Sequence, residues 1–375
     1  MRSFRFTYGP RLIAGPGSTG RLGELLPAGR CLFVTDATVR ALGLADAALA
    51  VLPDAVVFDA VEEDPSRETL MAAVAAGEGC ASVVGFGGGS PMDVAKLAAY
   101  LIGSGDELDA IWGVGKAMGA RLPFALVPTT AGTGSEATPI SVITVGGSLK
   151  LAVNSAPLTA DWALLDAELT LGLPRPVTAA TGLDAAVHAI EAYTSARLKN
   201  PLSDALAREA LRLIDAHLVR ACEAPGDVEA RSAMLLAAHL AGVAFANAPV
   251  AGVHALAYPL GGHFHVPHGL SNALMLPHVL AHNMHAAMPL YAELGALLVP
   301  AAAVQGRQAQ AAAFVERMTA LSRESGLPQR LGEVGVAATD LDLLAAEAMK
   351  QERLLVNNPC PIGEADARRL YEAAL

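Results

Sequence analysis

Short runs of β-branched and aromatic residues alternate with Ala- and Leu-rich segments along the first half of the chain. The runs predict strands over 32–35, 55–58, 82–85 and 124–127, and the segments between them predict helices over 67–77 and 93–101. Apolar strands separated by helices are typical of βαβ units, whose parallel sheet is covered on both faces. Two further runs, 140–143 and 149–153, flank Gly146-Gly147 and predict an antiparallel pair.

The pattern changes at Gly172, Pro174 and Pro176, which together predict a domain boundary. Beyond it β-branched runs become rare, and helical periods predict helices over 202–218 and 228–245. All ten histidines lie at or after His188. The sequence therefore predicts an α/β domain over residues 1–174, followed by an all-α domain over 175–375 that holds every imidazole.

Composition narrows the class of protein. Hydrophobic residues make up 53% of the 375 residues and charged residues 17%, which excludes a disordered chain. The net charge of −11 argues against a nucleic acid or an anionic membrane as partner. Histidine, asparagine and proline interrupt the longest apolar stretch, 233–258, so we expect buried helices and no bilayer span. Four widely spaced cysteines without a CxxC motif, and no secretory leader, favour free thiols in the cytoplasm.

Three consecutive glycines, Gly87-Gly88-Gly89, follow the strand at 82–85 and precede a predicted helix. Glycines let the backbone approach a phosphate closely, and a helix N-terminus offers free N–H groups and a favourable dipole. The alternative is a plain strand–helix turn in which Ser90 caps the helix and Pro91 takes its first position. Because three glycines exceed what a turn needs, we favour phosphate binding.

Two other predicted strands end in polar residues. The Ser/Thr-rich loop 129–135 follows the strand at 124–127, and Asp36 closes the strand at 32–35. Ligands bind at the carboxyl ends of strands in open α/β sheets, where a carboxylate can accept hydrogen bonds from an adenosine ribose. An ordinary loop, and a helix cap before Val39, explain the two features equally well.

The segment 15–20 matches the GxGxxG pattern. Pro16, however, lacks a backbone donor where a pyrophosphate would need one. The helical segment that follows, 21–26, is barely two turns long before Pro27. Since a phosphate loop needs a strand, a turn and a true helix, we expect this segment not to be one.

Asp184 and His188 lie four residues apart in an otherwise apolar segment, hence on one face of a predicted helix. A buried carboxylate needs a partner, which is either this histidine alone or a metal ion bound by both residues. Two more histidines, His254 and His268, favour the metal. One aspartate and three histidines form a ligand set suited to Fe²⁺ or Zn²⁺.

Fourteen residues separate His254 from His268, about 21 Å in one straight helix. Pro259, Gly261-Gly262 and Pro267 allow the chain to turn back, so that both rings can reach one ion. For each of the remaining nearby histidines, a role at the surface or behind the ligands is expected instead. They are His263, His265, His278, His282 and His285.

With these residues assembled, the chain resembles the iron-containing (group III) alcohol dehydrogenases. Four segments carry the resemblance: GGGSPMDVAK at 87–96, PTTAGTGSEAT at 128–138, TGLDAAVHAIEAYTS at 181–195 and GVHALAYPLGGHFHVPHGLSNALMLPHV at 252–279. It spans nearly the whole chain and implies a Rossmann-like N-terminal domain, a helical C-terminal domain and an active site in the cleft between them.

The resemblance also implies roles for single residues. The implied metal ligands are Asp184, His188, His254 and His268. The implied nucleotide contacts are Asp36, Gly88, Gly89, Ser90, Asp93, Thr129, Thr130 and Lys150. The implied reaction interconverts a small-molecule alcohol and its aldehyde or ketone, by hydride transfer to NAD, with Fe²⁺ or Zn²⁺ as the metal. A homo-oligomer is also expected.

One departure from the family concerns Tyr258. Many members have a histidine at this position, four residues after the third ligand. A phenol does not titrate near neutral pH as an imidazole does, so the alcohol proton needs another route to solvent. We expect Tyr258 mainly to shape the pocket, and His265 is the other candidate catalytic residue.

Three other functions compete with this one. A maleylacetate reductase belongs to the same superfamily, and a dehydroquinate-synthase-like lyase also combines a nicotinamide with a metal but returns the cofactor unchanged. A catalytically inactive NAD-binding or assembly protein is a different class, which the complete ligand set disfavours. For the cofactor, the Asp36 carboxylate and the absence of an arginine before Arg40 predict NAD(H) over NADP(H).

Overall fold

The computed structural model describes residues 3–146 and 149–375. The chain divides into two compact units, one of residues 8–172, the other of residues 173–375 together with the N-terminal residues up to Thr7. The division lies two residues before the predicted boundary at 174.

The first unit contains the strands and several short helices. The strands are β1 Arg11–Ala14, β2 Cys31–Val34, β3 Ala55–Phe58, β4 Ser82–Gly87, β5 Gly113–Val114, β6 Phe124–Pro128, β7 Ile140–Val145, β8 Leu149–Asn154 and β9 Trp162–Leu165. The helices are α1 Leu22–Leu25, α2 Ala37–Ala41, α3 Asp46–Ala50, α4 Arg67–Ala76 and α5 Gly89–Ser104.

Among the described residues, six strands form one parallel sheet in the order β1-β9-β6-β4-β2-β3. Alternate residues of each strand point to opposite faces, and both faces are covered. Leu32 and Val34 pack in a core with α4 and α5, whereas Cys31 and Phe33 pack in a second core with α3. The predicted parallel sheet, buried on both sides, is confirmed.

A smaller sheet, β5-β8-β7, contains the predicted antiparallel pair, with Ile140 opposite Asn154 and Val145 opposite Leu149. Gly146, with φ of +61°, begins the connection, and Gly147 lies outside the described residues.

The regular secondary structure of the second unit, within the described residues, is helical. Its helices are α6 Arg175–Thr194, α7 Pro201–Glu223, α8 Val228–Asn247, α9 Gly252–Phe264, α10 His268–Leu298, α11 Arg307–Ser325, α12 Leu341–Met349, α13 Glu352–Leu355 and α14 Glu364–Ala374. Helix α6 packs against α7, α8 and α10, and α10 also packs against α9 and α11. An α/β unit is thus followed by an all-α unit, as predicted.

Helix α8 is, within 3–146 and 149–375, the one helix long and apolar enough to cross a membrane. However, 67% of its most apolar window is buried inside the protein. Such burial is typical of a core helix, in agreement with the expectation of buried helices in this stretch.

Candidate metal centre

Helix α6 presents three ionisable side chains along one face. Asp184, His188 and Glu191 follow one another at intervals of four and three residues, the spacing of successive turns. All three are buried, with 2, 5 and 3% of their surface exposed. Because the neighbouring residues are apolar, these polar groups need partners from other helices.

His254 lies in the first turn of α9, and His268 is the first residue of α10. The prediction that Pro259 and Gly261-Gly262 help the chain turn back is wrong, because α9 continues through them to Phe264. The turn takes place at His265, whose φ of +53° lies in the left-handed region, just before Pro267. The two rings of His254 and His268 nevertheless lie 5.3 Å apart, centroid to centroid.

One carboxylate oxygen of Asp184 and one ring nitrogen from each of the three histidines lie within 4.8 Å of one another. Nε2 of His254 is 3.1 Å from Nε2 of His188. Oδ1 of Asp184 is 3.5 Å from Nε2 of His268. Donors that bind one tetrahedral ion at about 2.1 Å lie about 3.4 Å apart, so this spacing fits a single divalent ion. Three imidazoles and a carboxylate are donors that Fe²⁺ and Zn²⁺ accept.

The carboxyl of Asp184 is in the state that a metal ligand needs. Burial raises its pKa, but the three histidine rings and the amide of Asn272 outweigh burial, so that the pKa lies below its ordinary value. The ionised form, which donates a lone pair to a cation, is therefore favoured.

Aromatic rings border the cluster. Phe245 of α8 stacks on His188, with ring centroids 4.4 Å apart. Tyr258 lies one turn after His254, and its ring centroid is 5.8 Å from that of His268. His268 is the most accessible of the four residues, with 39% of its side chain exposed. Tyr258, itself half-buried, therefore borders the accessible side of the cluster, where a side chain can shape a pocket.

Among the described residues, the group of converging donor atoms includes no further histidine. His265 is exposed and ends α9, and its role in proton transfer stays a prediction. His263 and His285 are exposed as well. Nε2 of His282 lies 3.1 Å from the carbonyl oxygen of Pro361, and burial lowers the pKa of His278.

Glu191 is a residue of the site that the sequence analysis missed. Its carboxylate lies 2.7 Å from Nδ1 of His254 and accepts the backbone N–H groups of Ala251 and Val253 at 2.7 and 2.6 Å. The signal was present in the sequence, because Glu191 follows His188 by three residues on the same helical face. Its partners, however, lie 60 to 63 residues away, and only the folded chain brings them together.

Asn272 is the second such residue. It lies on α10 one turn after His268 and is fully buried. Its Nδ2 donates to Oδ1 of Asp184 at 2.7 Å and faces Nε2 of His254 and of His268 at 3.2 and 3.3 Å. A buried amide that contacts three of the four candidate ligands orients them with respect to one another.

The glycine loop lies in the first unit, between β4 and α5. Helix α5 begins at Gly89, and no side chain of the described residues caps it, so the alternative in which Ser90 is the cap is wrong. Gly87 has φ of +151°, and a Cβ there would lie 2.7 Å from Cγ of Pro91, so the turn itself needs this glycine. A Cβ on Gly88 would meet nothing in the described structure closer than 3.8 Å. Packing does not require Gly88, and its backbone is accessible to a ligand.

The threonine loop lies beside the glycine loop. Thr129 donates its backbone N–H to the carbonyl oxygen of Gly87 at 2.9 Å. A Cβ on Gly88 would lie 3.8 Å from Oγ1 of Thr130, the nearest atom to it. The two loops thus meet at the carboxyl ends of β4 and β6, the edge at which open α/β sheets bind ligands.

Asp36 caps helix α2 with one of its two carboxylate oxygens. One oxygen accepts the backbone N–H of Val39 at 2.8 Å and caps α2. The other oxygen lies 3.3 Å from the point that a Cβ on Gly87 would occupy, and thus points toward the glycine loop. A helix cap and a contact to a ribose are therefore compatible in one side chain.

Asp93 and Lys150 are engaged within the protein. Asp93 accepts hydrogen bonds from Oγ of Ser135 at 2.6 Å and from the backbone N–H of Val142 at 2.9 Å. The fully buried Lys96 donates to the same Ser135 at 2.7 Å. Asp93 and Lys96 therefore hold the threonine loop against α5. Lys150 pairs with Asp64 at 2.6 Å. The nucleotide contacts of Asp93 and Lys150 stay predictions.

The GxGxxG segment binds a carboxylate of its own chain. The backbone N–H groups of Gly17 and Thr19 donate to Asp166 at 3.1 and 3.3 Å, and the Thr19 hydroxyl donates at 3.0 Å. The groups that would face a phosphate are thus occupied, which is consistent with the expectation that this is not a phosphate loop.

Comparison with known proteins extends these observations to the whole chain. It is 40% identical to "Long-chain-alcohol dehydrogenase 1" of Geobacillus thermodenitrificans over 95% of this chain and 93% of the relative. It is 34% identical to the 1,3-propanediol dehydrogenase of Citrobacter freundii over 96% of each.

Solved structures agree with the curated relatives. A crystal structure of a 1,3-propanediol oxidoreductase superposes with a TM-score of 0.96 and 33% identity over 100% of both chains. The sulfoacetaldehyde reductase of Bifidobacterium kashiwanohense, solved in complex with NAD⁺, gives a TM-score of 0.89 and 26% identity over 100% of this chain and 99% of that one.

Two family models match this chain, one over each of its two units. "Iron-containing alcohol dehydrogenase" matches residues 9–167, which include the glycine and threonine loops, and "Fe-containing alcohol dehydrogenase family, C-terminal" matches residues 178–375, which include the Asp/His cluster. On the strength of both matches, and of a relative 40% identical over nearly its full length, the chain belongs to the iron-containing alcohol dehydrogenase family.

Proposed function

We propose that Asp184, His188, His254 and His268 hold the catalytic divalent ion of this enzyme, an NAD-dependent oxidoreductase that interconverts an alcohol and its aldehyde or ketone. The observation that carries the proposal is the convergence of their donor atoms within 4.8 Å, at the spacing of one ion. When bound, a divalent ion supplies a Lewis acid that acidifies an alcohol and polarises a carbonyl.

The protein groups around this cluster exclude water and shape the side that the substrate enters. Burial of Asp184, His188 and His254, together with the Phe245 ring stacked on His188, keeps water from most of the cluster. The half-exposed His268 leaves one side for the substrate, and Tyr258 shapes that side. A dry and aligned site favours hydride transfer, because it fixes the reacting carbon with respect to the nicotinamide.

The unit of residues 8–172 is proposed to bind NAD. The N–H groups at the start of α5, with Gly88, Gly89 and Ser90, face a diphosphate that the helix dipole attracts. Thr129 and Thr130 border the same position, and the outward oxygen of Asp36 accepts the ribose hydroxyls. Asp93 acts by holding the threonine loop through Ser135.

Finer features complete the proposal. Iron is the expected metal, and zinc is compatible with the same donors. NAD(H) is preferred over NADP(H) because of the Asp36 charge. The enzyme works in the cytoplasm as a homo-oligomer; within the described sheet β1 is an edge strand, whose outer side a second copy can cover. No nucleic acid or membrane takes part.

The decisive experiment is a substrate screen with NAD⁺ after anaerobic loading with Fe²⁺, in which the absorbance of reduced nicotinamide is followed. We expect the absorbance to rise with one or more primary or secondary alcohols, and to fall when the matching carbonyl is added with NADH. A dehydroquinate-synthase-like lyase would consume its substrate with no net change in absorbance. A parallel sample loaded with Zn²⁺ decides between the two metals.

A further inference from the structure

Glu191 connects the two helices that carry the first three ligands, α6 and α9. We propose that Glu191 is a positioning residue: it keeps the proton of His254 on Nδ1, so that Nε2 is free to bind the metal, and thereby sets the metal affinity of the protein. This inference rests on the proposed metal site.

The contacts of Glu191 are short and sheltered from water. Oε2 accepts the backbone N–H of Ala251 at 2.7 Å and lies 2.7 Å from Nδ1 of His254. Oε1 accepts the backbone N–H of Val253 at 2.6 Å. With 3% of its surface exposed, Glu191 has protein groups as its partners in place of solvent.

These contacts determine the tautomer of His254. A backbone N–H can only donate, so both carboxylate oxygens act as acceptors. A carboxylate has no proton to donate, so the ring nitrogen that faces Oε2 is the donor, which places the imidazole proton on Nδ1. A neutral imidazole with its proton on Nδ1 carries its lone pair on Nε2. That nitrogen faces the cluster, 3.1 Å from Nε2 of His188 and 3.2 Å from the donating amide of Asn272.

The same carboxylate fixes where His254 lies. Helix α9 has no cap from the side chain of its N-cap residue, Ala251, and Glu191 supplies the acceptor for its first N–H groups. His254 follows two residues after Gly252, the first residue of α9. Glu191 therefore ties the start of α9 to α6, the helix of Asp184 and His188, and controls both the ring orientation and the distance between ligands.

The variant Glu191→Gln tests the proposal, because it keeps the shape and replaces one acceptor by a donor. With the NH₂ beside Nδ1, the amide opposes the Ala251 N–H and moves the imidazole proton to Nε2, where it points at the metal position. With the NH₂ in the place of Oε1, the amide opposes the Val253 N–H, and the negative charge that holds the proton on Nδ1 is lost. We expect Zn²⁺ and Co²⁺ to bind about 10–100-fold more weakly, as measured by competition with a chelator.

Asp166→Asn is the matched control. Asp166 is also a buried carboxylate that accepts backbone N–H groups, but its partners are Gly17, Thr19 and Glu168, and no histidine is among them. We expect its metal affinity to equal that of the unmodified protein. An equal loss in both variants would mean that any buried carboxylate-to-amide exchange weakens binding, and would overturn the assignment.

A second measurement needs no bound metal, and its decisive result comes from the unmodified protein. Long-range ¹H–¹⁵N spectra of the metal-free protein, with His254 assigned by its loss in His254→Gln, report which ring nitrogen is protonated. We expect Nδ1–H in the unmodified protein and a larger share of Nε2–H in Glu191→Gln. Protonated Nε2 in the unmodified protein overturns the inference. Failure of the unmodified protein to bind metal would instead overturn the proposed function, so the two failures are distinguishable.

Discussion

Nδ2 of Asn272 donates a hydrogen bond to Oδ1 of Asp184 over 2.7 Å, although 88 residues separate the two in the chain. The carboxylate oxygen that belongs to the donor cluster is thus held by an amide from α10. Since that amide also faces Nε2 of His254 and of His268, one side chain fixes the positions of three candidate ligands relative to one another.

Replacing Asn272 should weaken metal binding. Asn272→Ala removes the donor to Asp184 and leaves space among the ligands, so we expect about tenfold weaker metal binding and a loss of about 1–3 kcal/mol in the free energy of unfolding. Chelator competition and denaturant unfolding measure the two effects. Asn200→Ala, which removes a buried amide that caps α7, should lower stability and leave metal affinity intact. Equal metal affinity in both variants would contradict the role of Asn272.

The hydroxyl of Tyr258 should be dispensable. The ring borders His268, and Tyr258→Phe keeps that ring, so we expect most of the turnover to remain. If the hydroxyl carried the alcohol proton, a loss of about 10²-fold or more would follow, and one limb of the pH–rate profile would disappear. The pH–rate profiles of both proteins therefore decide between shaping and proton transfer.

Cofactor choice should depend on the charge of Asp36. A unit charge about 4 Å from a 2′-phosphate repels it by roughly 4 kcal/mol at an effective dielectric near 20, and exposure to solvent and salt reduces this value. Asp36→Asn retains an oxygen for the Val39 N–H and removes the charge, so α2 stays capped. We expect the ratio of kcat/KM with NAD⁺ to kcat/KM with NADP⁺ to fall about tenfold, mainly because kcat/KM with NADP⁺ rises. Steady-state kinetics with both cofactors would show the prediction to be wrong if the unmodified protein used NADP⁺ as well as NAD⁺.

Substitution of Gly88, at the start of α5, should differ in effect from substitution of Gly85, within β4. A Cβ on Gly88 would make ordinary van der Waals contact with Thr130, at 3.8 Å, so Gly88→Ala should leave the melting temperature unchanged. It should raise KM for NAD⁺ about tenfold, because the methyl group would stand where the phosphates are proposed to bind. A Cβ on Gly85 would lie 2.7 Å from Ala95 and from Leu126. Gly85→Ala should therefore cost about 1–3 kcal/mol of stability. An unchanged KM in Gly88→Ala would remove the glycine loop from the cofactor site.

The predicted parts of the fold are those with a local pattern. Strands β2, β3, β4 and β6 consist of apolar runs bounded by turns, and the pattern alone predicts them. Strands β1, β5 and β9 have no such pattern and are not predicted. Trp162–Leu165, for example, reads Trp-Ala-Leu-Leu, which favours a helix as much as a strand, and its pairing with β1 and β6 makes it a strand.

The same limit applies to the two sites. The spacing of Asp184 and His188 is local and predicts one helical face, whereas the partners of Glu191 lie on α9, and only tertiary structure supplies them. Helix α9 also continues through Pro259, because packing of its buried apolar residues, Pro259 among them, outweighs the loss of one backbone donor. Serine is a common capping residue, but Ser90 lies inside α5 and does not cap it, because Gly88 occupies the N-cap position.

The central claim is that Asp184, His188, His254 and His268 bind one catalytic ion, and metal analysis combined with turnover on the same samples tests it most directly. His254→Ala should lose both bound metal and alcohol oxidation. His285→Ala, which changes an exposed histidine on α10, should retain both nearly in full. Full metal occupancy and full activity in His254→Ala would contradict the account.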